Sequence, residues 1–184
     1  MLPVSLDDPC SRLFRYRDLV ECGETFQALA SLARDQGEPA PDNVPREAAT
    51  LEAMARLCRD VLDPIWDHFG SIELTYGFAS PALTRRIHGR IAPSLDQHAG
   101  HERGRDGRPV CARLGQAADL HVVGHDSWTV ARWVAMTLPF DRLYFYESDR
   151  PFHVSVGPDE KREAFELRKG RSGRRYPRRI KSWT

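Results

Sequence analysis

No stretch of the chain approaches the roughly eighteen consecutive apolar residues of a membrane-spanning helix, so no membrane partner is expected. The opening residues have neither a basic start nor an apolar run and already carry Asp7 and Asp8. That is unlike a secretory leader, and a cytoplasmic location is the expectation. Cysteine is sparse: Cys10, Cys22, Cys58 and Cys111 fall at irregular spacings and never as Cys-x-x-Cys, so reduced thiols are expected in place of a disulfide framework. Internal repeats and low-complexity tracts are absent too, which excludes solenoids and arrays.

What is present fits one globular unit. A chain of 184 residues, 41% hydrophobic and 29% charged, can bury a core of its own. The net charge of +1 hides an asymmetry. Residues 161–184 hold ten Lys or Arg against two Glu, a balance of +8, which leaves −7 for residues 1–160. The expected organisation is a single domain over 1–160 followed by a basic tail over 161–184. Such a tail either drapes over the acidic domain or binds nucleic acid, since clustered arginines release counterions from phosphates.

Periodicity predicts a mixed fold. Two short helices precede Asp35, then Gly37 to Pro45 forms a polar, proline-rich loop. The segment from Ala49 to Gly70 places Leu51, Met54, Leu57, Cys58, Val61, Leu62 and Ile65 on one helical face, with Thr50 or an upstream polar residue as its cap and Gly70 as its stop. Ile72, Leu74 and Tyr76 alternate with polar neighbours, as a half-buried strand does. Pro81 opens a short helix; strands follow over 117–123, 142–146 and 151–156, with a helix over 127–136 between the first two. The fold class is therefore α+β: N-terminal helices packed on a small, mainly antiparallel sheet.

Two histidines and an aspartate stand out because each lies on or beside a short apolar run: His98 in SLDQHAGHE, Asp119 in GQAADLHV and His153 in RPFHVS. Alternation points His153 away from Phe152 and Val154. A buried Asp119 needs a partner, either a metal or an arginine such as Arg113. Two imidazoles and one carboxylate are the ligand set of a catalytic zinc, which keeps its fourth position for water.

These anchors resemble the zinc D-Ala-D-Ala carboxypeptidases and related peptidoglycan peptidases. The likeness rests on GQAAD leading an apolar strand and the later Phe-His-Val-Ser. Upstream it adds FRYRDLVECGET (Phe14 to Thr25), Asn43-Val44-Pro45, a helix ending in VLDPIWDHFG and the strand IELTYGFASP. It spans roughly residues 14–157. It implies a zinc peptidase fold, Zn²⁺ held by His98, Asp119 and His153, and a small peptide or peptide-like substrate.

The chain departs from the family pattern at three points. Counting back seven from Asp119, where the family has its first histidine, lands on Ala112; His98 stands twenty-one residues back, with the turn-rich insertion HERGRDGRP between. His101 and Cys111 are rival ligands. The family's glutamate base corresponds to Arg150, leaving Glu102, Asp149 and Glu147 as acids near in sequence, and its strand-end arginine corresponds to Ala79, leaving Arg113 or Arg150 to stabilise an oxyanion. Three readings follow. One is a zinc-dependent metallopeptidase-like hydrolase with an altered pocket. Another is a metal-binding module that binds nucleotide or nucleic acid through Arg85, Arg86, Arg90, Arg103, Arg105, Arg108 and the tail. The third is a scaffold without metal.

Overall fold

The computed structural model describes residues 4–87, 93–171 and 173–183, so Arg90 of the arginine set lies outside the described residues. Helices α1 (Tyr16–Val20) and α2 (Glu24–Asp35) lead into a long helical rod made of α3 (Ala48–Leu57), a π-helical turn (Cys58–Leu62) and α4 (Asp63–Phe69). The widened turn sits just before Pro64, which lacks an N–H to give to residue 60 and crowds that carbonyl. Met54, Leu57, Cys58, Val61, Leu62 and Ile65 are all fully buried, as the helical spacing predicts, while Leu51 is half-buried. Gly70 ends the rod at φ 98°.

The N-cap of the rod is Glu47, an upstream polar residue as expected, but its side chain makes no capping bond. Thr50 lies inside α3, and the first turn is capped from a distance by Glu102, whose Oε1 accepts from Arg46 N (3.0 Å), Glu47 N (3.2 Å) and Thr50 Oγ1 (2.9 Å). A carboxylate there satisfies orphan donors and meets the positive end of the helix.

One six-stranded sheet, whose first strand precedes the short helix α5 (Pro81–Thr84), gathers the rest: β1 (Ile72–Tyr76), β2 (Gln116–Val122), β3 (Arg142–Phe145), β4 (Phe152–Val156), β5 (Glu163–Lys169) and β6 (Arg175–Arg179). Its order is β1-β2-β4-β3-β5-β6, antiparallel throughout except where β5 runs parallel to β3. The fold is thus α+β on a mixed sheet. Helices α3 and α6 (Ser127–Thr137) pack on one face, over Leu120, Leu143, Phe152 and Val154. Among the described residues no helix is long and apolar enough to cross a membrane.

Residues 161–184 are not a tail. Half of them form β5 and β6, which extend the sheet beyond β3, where four strands were expected to complete it. Ala164 is buried, Phe165 stacks on Tyr144 at 5.5 Å, and Ile180 and Trp183 pack on the core. Charge counted over the whole segment masks this alternation, because a strand needs apolar residues only on its buried side.

Candidate metal centre

The register of the sheet builds the site. Pairing aligns Tyr76 of β1, Asp119 of β2, His153 of β4, Tyr144 of β3, Phe165 of β5 and Arg179 of β6 in one transverse row. Phe152 and Val154, on either side of His153, point into the core, so His153 and its row occupy the opposite face. Tyr76 reaches that row through a bulge between Leu74 and Tyr76. Strict alternation would have left it beside Ile72 and Leu74; the extra residue turns it over, as bulges near functional sites often do. It packs there with Phe26, Ala79 and Leu83.

His98 enters from a 3₁₀ turn (Gln97–Ala99) capped by Asp96, whose Oδ1 accepts from His98 N at 3.1 Å. Its ring packs on Tyr76, with centroids 4.3 Å apart. The insertion that separates His98 from Asp119 closes on itself as a small loop, Gly104 N donating to Arg108 O (2.8 Å) beside a bridge between Arg103 and Pro109. It adds chain length without pushing the two ligands apart.

Three donor atoms meet in consequence. His98 Nε2 is 3.1 Å from Asp119 Oδ1 and 3.2 Å from His153 Nδ1, and His153 Nδ1 is 2.8 Å from the same Oδ1. His98 Nδ1 lies 2.6 Å from Gly77 O, and a carbonyl only accepts, so Nδ1 carries a proton and Nε2 is the ring atom turned toward the other two. A carboxylate oxygen and two ring nitrogens this close repel one another unless a proton or a cation sits among them. Bonds of 2.0–2.1 Å to a tetrahedral zinc separate ligand atoms by about 3.3 Å, close to these three edges. The Gly77 carbonyl is also the outer partner that fixes the ring of a ligating histidine.

Electrostatics agree. Burial by itself would raise the Asp119 carboxyl, but the two imidazoles, His98 foremost, outweigh it and hold the carboxyl far below its ordinary value. Burial pushes the His153 imidazole down against the opposing hydrogen bond that its protonated form gives to Asp119, which keeps a ring lone pair available at neutral pH. Among the described residues this is the group of His, Cys, Asp and Glu able to hold a metal ion.

The rival ligands lie elsewhere in the network. His101 Nε2 accepts from Gly115 N at 3.1 Å, and Cys111 is buried with its thiol pushed up by desolvation. All four cysteines are free, as expected, with Cys10 and Cys58 sulfurs 3.3 Å apart in the core.

The triad opens into a cavity of about 820 Å³ lined in part by Asp96, Arg113, Tyr144, Tyr146, Arg174 and Arg175. Arg113, the cation expected to face an oxyanion, lines the cavity, its Nη1 donating to Tyr144 Oη (3.1 Å) and Leu95 O (3.0 Å). The two expected acids are not there. Glu102 is committed to capping α3, and Asp149 is exposed in the turn before β4; neither lines the cavity. Arg150, the other cation weighed, pairs with Glu147 outside it. Asp96 lines the cavity and was not singled out from the sequence, although it stands two residues before His98, where an N-cap acid is legible.

Comparison with protein-family models, with curated proteins and with solved structures finds no match for this chain. The likeness to the zinc carboxypeptidases therefore rests on the residues quoted for it.

Proposed function

We propose that the protein is a zinc-dependent hydrolase, similar to the D-Ala-D-Ala carboxypeptidases but with an altered pocket, that cleaves an amide-type bond in a peptide-like substrate. The observation that carries the reading is the triangle of His98 Nε2, Asp119 Oδ1 and His153 Nδ1, with His98 oriented by Gly77 O. Two imidazoles and a carboxylate suit zinc better than the harder cations, which prefer all-oxygen sites. When bound, zinc supplies a water of near-neutral acidity and polarises a carbonyl.

The chain's own groups account for the remaining roles. Arg113 faces the cavity as a fixed cation for the developing oxyanion, held by Tyr144. Asp96 takes the part of general base: apart from Asp119 it is the carboxylate lining the cavity among the described residues, and its charge is felt at His153.

The test is elemental analysis of untagged protein. About one zinc per chain is expected, with loss of at least nine-tenths of it in His98→Ala and in His153→Ala while both variants keep the far-ultraviolet circular dichroism of the parent. Zinc retained in both variants would place the metal elsewhere, and none in the parent would end the hydrolase reading.

A further inference from the structure

The far wall of the metal cavity is made by the basic hairpin. Leu167 of β5 with Arg174, Arg175 and Pro177 of β6 and its turn line the same space as His98, Asp119 and His153. Leu167 and Pro177 are register partners, and alternation puts Tyr176 and Arg178 on the opposite face. The arginines of the hairpin thus divide into a set that faces the cavity and a set that does not.

Their partners divide them again. Arg175 is anchored, its Nη1 donating to Leu167 O (2.8 Å), its Nη2 to Glu147 Oε1 (3.0 Å), and its guanidinium lying 5.5 Å from the Tyr146 ring centre. The bond from Arg175 holds the Glu147 carboxyl below the usual carboxylate range. Arg174 has no ion pair among the described residues, and neither does Arg113. Glu147 is shared by Arg175, Arg150 and Lys169, so it offsets Arg175 only in part; the carboxylates lining the cavity, Asp96 and Asp119, stand at the triad end, and the hairpin end is positive with or without an ion at the triad. A neutral substrate would leave that charge unanswered.

The cavity has three zones in order. Asp119 and His153 of the triad stand on β2 and β4, Tyr144 and Tyr146 follow on and just after β3 with Leu167 on β5, and Arg174 and Arg175 close the far end at β6. From β4 to β6 is three strand spacings, about 14 Å, and Arg175 lies four residues along β6 from Arg179, the residue level with His153, a further ~13 Å; the direct span of about 19 Å is what an extended peptide covers in about six residues.

We propose that the cavity-facing arginines of this hairpin, Arg174 foremost, form a subsite for an oxyanion carried by the substrate some six residues from the bond cleaved at the triad, with an apolar stretch between them. The inference rests on the proposed hydrolase reading and adds the class of its substrate: a peptide-like chain ending in, or carrying, a carboxylate or a phosphate.

Fluorescence anisotropy of the full chain tests it. The probes are fluorescein-labelled peptides of five alanines followed by glutamate, phosphoserine or glutamine, and a fluorescein-labelled oligothymidylate of six nucleotides. The expectation is that the glutamate or phosphoserine peptide binds at least tenfold more tightly than the glutamine peptide. Arg174→Ala should reduce that preference to within twofold, Arg174→Lys should restore part of it, and Arg178→Ala on the opposite face should leave it intact. Which anionic peptide binds more tightly identifies the oxyanion. Equal effects of Arg174→Ala and Arg178→Ala, the absence of any preference, or tighter binding of the oligothymidylate than of both peptides would overturn the proposal, the last assigning the wall to nucleic acid. Repeating the titration after chelation separates the two readings: the preference for charge is expected to survive, whereas zinc content alone decides the metal centre.

Discussion

Gly77 works under two constraints at once. Its carbonyl orients His98, and a Cβ at this position would stand 2.2 Å from Leu19 O, so the strand can pass α1 this closely only as glycine. Gly115, at φ 87°, is in the same position against Val156 O, at 1.9 Å, and lets β2 begin beside β4. The ligands are therefore held by backbone contacts as much as by side chains. Asp96 also has two duties, and they separate cleanly. Asn caps a helical turn as well as Asp does but cannot take up a proton from water. Asp96→Asn is expected to retain one zinc per chain and to lose at least a hundredfold in turnover of any substrate found. Equal turnover would remove Asp96 from the chemistry. Asp126, which caps α6, gives a pH signature of its own. Its carboxyl accepts from the Thr129 hydroxyl (2.6 Å) and N–H (3.0 Å), and these bonds, the hydroxyl's first, lower its ionisation below the ordinary carboxylate value. A lowered folded-state value contributes stability above the unfolded carboxyl range, near pH 4, and loses it as pH falls through the folded value. Asp126→Ala should then cost about 1 kcal/mol at pH 7 and progressively less below pH 4, read from urea midpoints.

At the scale of elements, the rod α3–α4 and the loop carrying His98 are tied by Glu102. Removing its carboxylate leaves two backbone N–H groups and the Thr50 hydroxyl without their acceptor in a buried setting. Glu102→Ala should lower stability by about 2–3 kcal/mol in urea titration while zinc stoichiometry stays at one. If it abolished turnover with no change of stability, a catalytic Glu102 would return. Sequence nearness misleads here for a plain reason. Glu102 is four residues from His98, but the chain turns at Gly100, at φ 60°, and sends the carboxylate toward α3. The helical face of α3–α4 was legible because it depends on spacing alone. Its cap was not, because the acceptor comes from fifty-two residues along the chain.

For the whole molecule, the hairpin decides what truncation does. Cutting the chain after residue 160 removes β5 and with it the ladder along β3, and uncovers the apolar side that Ala164, Ile180 and Trp183 cover. An exposed edge of that kind favours association. The shortened chain is expected to elute as aggregate or to lose its cooperative thermal transition, measured by size exclusion and circular dichroism; a monomer of unchanged stability would restore the picture of a dispensable tail. What the sequence determined by itself were the properties carried by a few neighbouring residues: the buried face of the rod, the strand alternation that turns His153 away from Phe152 and Val154, and the apolar settings that single out His98, Asp119 and His153. Only the tertiary structure decided that Asp119 and His153 are register partners, that a bulge brings Tyr76 over to their face, that His98 and not His101 fills the third corner, and that basic strands wall the cavity. Alternation is fixed by the pleat within one strand, whereas register and strand order are fixed by burial summed over the whole chain, which no local window contains.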